Sequence, residues 1–217
     1  KRLEIKNKPI SQLPDSIVQL KALEEVIIYK CPNLKLGPLM TQLSALPSLR
    51  RLEIVYGEHR SIPESLGKLS KLESLILDHN QILELPEGIA DLPNLKQLSL
   101  EHNRYTDIRQ SFDVIAGCDK LEYLNFGYSQ LDEIPEEIAE ARSLKVLRLA
   151  GNPFIGLPES ISELEKLEWI DLSYNLKMNI EQVFDAVSGN ESLRVLDLSF
   201  CEMQQLPDNL VDLTGLR

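Results

Sequence analysis

From Leu72 to Asn94 the chain reads LESLILDHNQILELPEGIADLPN, and the rest of the sequence is a variation on this stretch. Its first half, L-x-x-L-x-L-x-x-N-x-I, alternates apolar and polar residues as a short strand with one buried face requires. The Asn that follows carries a side-chain amide able to satisfy backbone groups as the chain turns away. The second half, L-P-x-x-I-x-x-L, returns the chain to the next strand. One such unit cannot bury its own apolar side, so it requires stacked neighbours on both sides.

With the first Leu of each unit as position 1, units begin at Leu23, Leu49, Leu72, Leu95, Leu121, Leu144, Leu167, Leu193 and Leu216, with an incomplete one before Leu23. The spacings are 26, 23, 23, 26, 23, 23, 26 and 23, so every third unit is three residues longer. Leu/Ile-Pro pairs recur in phase in the shorter units: Leu13-Pro14, Ile62-Pro63, Leu85-Pro86, Ile134-Pro135, Leu157-Pro158 and Leu206-Pro207. Proline lacks a backbone donor and favours extended or turn geometry, so these return segments are predicted to be polyproline-like or one-turn helical.

The long units lose that Pro and change period. Ile108, Phe112, Ile115 and Cys118, and likewise Ile180, Phe184 and Val187, are spaced as on one face of a helix. Asp107 with Gln110, and Asn179 with Gln182, have the spacing of a capping box. The remaining long unit, through Leu36, Pro38, Leu39, Leu43 and Leu46, places Pro near a first helical turn. Helices are therefore predicted at about Ile108 to Gly117 and Ile180 to Val187, and near Leu39 to Leu46.

With 217 residues, 43% of them hydrophobic, and no Gly/Ser/Pro-rich linker, one elongated domain over 1–217 is expected. The formal charge of −11, without any Lys/Arg run, argues against nucleic acid or an anionic membrane surface as partner. No apolar run approaches the ~20 residues of a membrane span, so no membrane insertion is expected. The chain starts inside one unit and stops at Leu216-Arg217 without a polar cap, which leads to the expectation of a fragment of a longer chain. At position 9, Asn80, Asn103, Asn152 and Asn175 keep the Asn, Ser129, Cys31 and Cys201 replace it, and Gly57 interrupts it. Cys31 and Cys201 read as small buried thiols in inward slots, in units too far apart to pair. Three unpaired Cys point to a reducing, cytoplasmic setting.

On these in-phase motifs the whole chain resembles a leucine-rich repeat domain. Its L-P-x-x-I-x-x-L units are similar to those of Ras-pathway scaffolds, plant intracellular Ras-group repeat proteins, bacterial repeat proteins and the repeat region of Roco proteins. The run Cys31-Pro32-Asn33-Leu34 resembles irregular repeats of plant immune receptors. The resemblance implies an α/β solenoid, curved, with a parallel concave sheet and a convex side of extended segments plus about three short helices. It implies a protein partner, recognised through the concave sheet without catalysis. The alternative is a regulatory or dimerising repeat domain within a larger signalling enzyme such as a Roco-type GTPase.

In such a solenoid, positions 2, 3, 5, 7 and 8 face outward from the strands, with neighbours ~4.8 Å apart. Position 2 reads Lys1, Glu24, Arg50, Glu73, Lys96, Glu122, Lys145, Glu168 and Arg194, an alternation of sign that a slip of one unit would turn into like-charge contacts. Position 8 reads Asn7, Lys30, Tyr56, His79, His102, Tyr128, Gly151, Tyr174 and Phe200, and position 3 of the later units reads Tyr123, Val146, Trp169 and Val195. Aromatic side chains there either stack to stabilise the sheet or offer a protein-binding hot spot on an open surface. The second reading makes Tyr123, Tyr128, Val146, Arg148, Trp169, Asp171, Tyr174, Val195, Asp197 and Phe200 the candidate protein-binding residues. Gly151 is expected to leave a gap between Tyr128 and Tyr174 for a partner side chain, and Asp171 and Asp197, beside Arg148, to orient a basic group. Asp78-His79 and Glu101-His102 would stack as neighbours, but exposed, mobile carboxylates make a zinc pair an undemanding coincidence, so neither metal nor cofactor is expected. No phosphate-cradling Gly-rich loop, Gly-x-Ser-x-Gly elbow or Cys/His pair at nucleophile spacing occurs, so no catalytic residue is expected.

Overall fold

Leu72, Leu75, Leu77, Ile82, Leu85 and Ile89, the inward residues of a single unit, are each no more than 1% exposed, a burial that one unit cannot supply by itself. The computed structural model describes residues 1–103, 108–203 and 205–217, and in it these side chains join those of the other units in one continuous core. Phe112, Phe126, Phe154 and Phe184 lie fully inside it, as their inward positions predict.

Among the described residues, nine strands form one sheet, each parallel to the next in chain order. They are β1 Arg2–Lys6, β2 Glu25–Tyr29, β3 Arg51–Val55, β4 Ser74–Ile76, β5 Gln97–Ser99, β6 Tyr123–Asn125, β7 Val146–Arg148, β8 Trp169–Asp171 and β9 Val195–Asp197. Position 3 always meets position 3, from Arg2 opposite Glu25 to Trp169 opposite Val195. A one-residue slip would turn the buried Leu row to solvent, which fixes the register.

The chain leaves each strand at position 8, and there the structure corrects the reading of position 8 as a strand position. All nine of these residues, from Asn7 to Phe200, have left-handed backbone, with φ between 53° and 67°. The N–H groups of the first eight, Asn7 to Tyr174, still donate to the position 7 carbonyl of the next unit, as His79 does to Glu101 O at 2.8 Å and Tyr128 to Ala150 O at 2.7 Å. Left-handed backbone suits Gly151 and Asn7, but strains Tyr, Lys and Phe.

Past this turn the position 9 side chain is inward. Asn103 Nδ2 donates to Leu77 O and Leu100 O, both at 2.9 Å, tying its own unit to the one before. Ser129 Oγ reaches the equivalent earlier carbonyl, Leu100 O, at 3.1 Å, and Cys201 Sγ lies 3.2 Å from Leu172 O. The replacements thus keep one of the links that Asn makes. Cys31 is fully buried and Cys201 half-buried, and both are free thiols. Burial pushes the thiol of Cys118, at the end of a convex helix, up to about 12.

Gly57 has no side chain for its slot, and His59 fills it. A Cβ on Gly57 would stand 2.3 Å from the His59 ring, and both residues donate their N–H to Asn80 Oδ1, at 3.0 and 3.3 Å. His59 Nε2 is buried without a hydrogen-bond partner among the described residues, and burial pushes its pKa below the usual histidine value. A depressed folded-state pKa supplies stability above the unfolded value of 6.5 that is lost as pH falls through the folded value. His59→Phe keeps a ring over Gly57 and removes the proton site. Its urea midpoint should therefore match or exceed that of the unaltered chain at pH 7.5, with an advantage that grows toward pH 5. A difference independent of pH would contradict this.

The Pro-bearing return segments are single 3-10 turns: Asp15–Gln19, Glu64–Lys68, Glu87–Ile89, Glu136–Glu140, Glu159–Glu163 and Asp208–Asp212. Each follows a Pro with φ between −66° and −74° and opens on an acid, which favours the positive end of the turn. The convex helices of the long units are α1 Leu36–Ser44, α2 Ile108–Ala116 and α3 Ile180–Val187. Asn179 caps α3, accepting from Gln182 N at 3.3 Å. Asp107, the other expected cap, lies outside the described residues. Helix α1 begins three residues before the predicted Leu39 and ends two before Leu46, because Pro38 is tolerated anywhere in a first turn whose N–H groups have no helical partner.

Candidate functional site

The outer surface of the sheet divides into two halves. Over β1 to β5 the side chains satisfy one another: Arg2 pairs with Glu4 at 3.3 Å, Arg51 with Glu53 at 2.7 Å, and Ser74 donates to Gln97 at 2.9 Å. The position 2 alternation runs alongside. The Lys1 terminus meets Glu24 at 3.0 Å, Glu73 is shared by Arg50 and Lys96, and Lys145 meets Glu122 at 3.0 Å. Pairs this exposed contribute about 0–1 kcal/mol each and serve register more than stability.

Over β6 to β9 the position 3 row turns apolar, beside a position 5 row of Asn125, Arg148, Asp171 and Asp197. Register sets Tyr123 beside Val146, Val146 beside Trp169, and Trp169 beside Val195. Trp169 is 42% exposed, Val195 40%, Tyr174 45% and Phe200 69%, whereas Tyr123, Tyr128, Val146, Arg148 and Asp197 are half-buried. The strands bring seven of the ten candidate residues onto this half, and the turns that follow them bring Tyr128, Tyr174 and Phe200 to its border.

A column of rings borders the sheet at position 8. Tyr56, His79, His102 and Tyr128 stack at centroid separations of 4.0, 4.2 and 4.9 Å, and Tyr174 stacks on Phe200 at 4.5 Å. Stacked pairs are worth about 0.5–1.5 kcal/mol each, which offsets the left-handed backbone beneath them. The expected gap at Gly151 is absent. With no side chain below to support it, the Tyr128 ring tilts across Gly151, where a Cβ would lie 2.3 Å from it, and comes within 6.2 Å of Tyr174. The column therefore closes over the glycine.

Asp171 also departs from expectation, being buried. Arg148 Nε and Nη2 both lie 3.0 Å from its Oδ2, and Oδ1 accepts from Ser173 N at 3.1 Å and Ser173 Oγ at 2.7 Å. Its carboxylate serves this cluster rather than a partner's basic group. Burial works against the Arg148 charge, but bonds to Tyr123 and Asp171 outweigh it and hold the guanidinium above its ordinary pKa. Asp197 accepts from Ser199 N at 2.9 Å and stays half-buried, so it alone of the two acids faces solvent appreciably. Ser173 and Ser199 escape the sequence reading although Asp-Leu-Ser recurs at 171–173 and 197–199, the spacing of a local Asx turn.

The acids next to the histidines are not the mobile groups expected. Asp78 accepts from Ser99 Oγ at 2.6 Å and Glu101 N at 3.0 Å, and burial nonetheless pushes its carboxyl up to about 6. Glu101 Oε2 accepts from Asn125 Nδ2 at 2.9 Å. Burial also pushes the His79 imidazole below its usual value.

A leucine rich repeat family model matches residues 47–105 and 93–154, and a second leucine rich repeat model matches 189–204. The chain belongs to the leucine-rich repeat family. Compared by sequence with curated proteins, this repeat protein matches none. Among solved structures it is similar to a Leptospira interrogans LRR protein, with a TM-score of 0.78 and 22% identity over 99% of this chain. It spans 58% of that protein's length. An internalin from Listeria monocytogenes has a TM-score of 0.62 and 20% identity, over 94% of this chain and 62% of its own. The ectodomain of the Arabidopsis thaliana receptor kinase GASSHO1/SCHENGEN3, solved in complex with CASPARIAN STRIP INTEGRITY FACTOR 2, has a TM-score of 0.61 and 22% identity, over 99% of this chain and 29% of its own. At these identities the likeness is one of fold. Among the described residues no helix is long and apolar enough to cross a membrane.

Proposed function

We infer that this repeat protein recognises a protein partner through the concave surface of β6 to β9, in the cytoplasm and without chemistry of its own. The observation that carries the reading is the cluster of Trp169, Val195, Tyr174 and Phe200, each at least 40% exposed. Large amphipathic rings left open on a rigid sheet are what interface hot spots are built from, and contiguous exposed apolar surface marks interaction sites. The half-buried Val146 and Tyr123 extend the patch, while Asp197 and the charged Arg148 at its margin give it polar direction. The net charge of −11 favours a protein over a nucleic acid as the molecule bound.

The test is capture of the partner from native lysate, followed by hydrogen-exchange mapping of the complex. Added protection is expected over 123–128, 146–151, 169–174 and 195–200. Protection confined to α1, α2 and α3 would place the interface on the convex side and overturn the reading.

A further inference from the structure

We propose that His79, Glu101 and His102 form a binding site for a divalent transition-metal ion of the zinc type, at the border of the sheet where β4 and β5 end. One donor atom from each of these residues, two ring nitrogens and a carboxylate oxygen, lie within 4.8 Å of one another. Two nitrogens and one oxygen suit zinc, which takes such ligands at about 2.0–2.2 Å and accepts three from a protein with one position left open.

The arrangement is built into the fold. Both histidines occupy position 8, with φ of 53° and 57°, and the ladder bonds His79 N to Glu101 O at 2.8 Å and His102 N to Gly127 O at 2.9 Å hold their turns in register. The imidazoles lie 4.2 Å apart and nearly parallel, with the ring of Tyr56 stacked on one side and that of Tyr128 on the other. Glu101 is oriented too. Asn125 Nδ2 holds its Oε2, leaving Oε1 turned toward His102 Nε2 at 3.7 Å. An outer partner that fixes a ligating carboxylate in this way is characteristic of metal sites. Imidazole lone pairs lie in the ring plane, so metal binding requires the two half-buried rings to rotate out of parallel until both nitrogens reach one ion, at the expense of their mutual stacking.

This site stands independently of the protein-recognition reading. Zinc chloride alone, titrated calorimetrically into the intact chain in a non-coordinating buffer, is the test. One ion per chain with a micromolar Kd is expected, weakened at least tenfold in His102→Gln and in Glu101→Gln, the latter leaving the ring column untouched. Circular dichroism of each variant guards against reading misfolding as lost affinity. Failure to saturate at one equivalent, or an affinity unchanged in the folded variants, would overturn the proposal and leave the pair as a stacking element only.

Discussion

Asn152→Ala should lower the unfolding free energy by about 3–5 kcal/mol. The side chain is 3% exposed and works in both directions. Its Oδ1 accepts from Ser129 N at 3.1 Å and Leu131 N at 3.0 Å, while Nδ2 donates to Phe126 O at 3.0 Å, Leu149 O at 2.8 Å and Ala150 O at 3.2 Å. Alanine takes the acceptor from two buried N–H groups and the donor from Phe126 O, while Leu149 O keeps Asn175 Nδ2 and Ala150 O keeps Tyr128 N; each buried group so deprived costs about 1–3 kcal/mol. Asn152→Ser should lose roughly half as much, because the chain itself places Ser129 in an equivalent slot and retains a bond to the preceding unit there. Urea unfolding of the two variants measures this, and an alanine loss below that of serine would contradict it. Since each unit packs only on its neighbours, hydrogen exchange should rise first around β6, β7 and β8.

Trp169→Ala has its large effect on binding instead. The indole is 42% exposed on the sheet surface, between Val146 and Val195, so its removal opens no cavity and should leave the melting temperature nearly unchanged. As an interface anchor it should contribute about 2 kcal/mol or more to the complex, which is more than tenfold in affinity. The contrast with Asn152 follows from burial: one residue is satisfied inside the chain, and the other is left open on its surface.

The repeat and its core are legible in the sequence because each unit buries the same positions at the same spacing, and helix α3 because Ile180, Phe184 and Val187 fall on one face. Strand order and register follow from stacking consecutive units. The backbone at position 8 is not legible: Tyr, His and Phe there announce a strand by propensity, while the ladder bond and the turn to position 9 impose left-handed geometry. Gly151 misleads for a related reason, since a missing side chain marks open space only when no neighbouring ring tilts into it, and Tyr128 does. Asp171 is on the predicted face, but its freedom depends on Arg148 from the preceding strand and on Ser173 two residues away. The His79 and His102 pair was visible as a stack, whereas the restraint on Glu101 comes from Asn125 in the next unit, 24 residues on.

We propose the open face of β6 to β9 as the binding surface. Its most direct test is the Kd of the captured partner for the unaltered chain and for Trp169→Ala, measured beside the melting temperature of each. Affinity should fall at least tenfold with an unchanged melting temperature. Undiminished binding, or a variant that unfolds, would contradict it and assign Trp169 to stabilising the sheet.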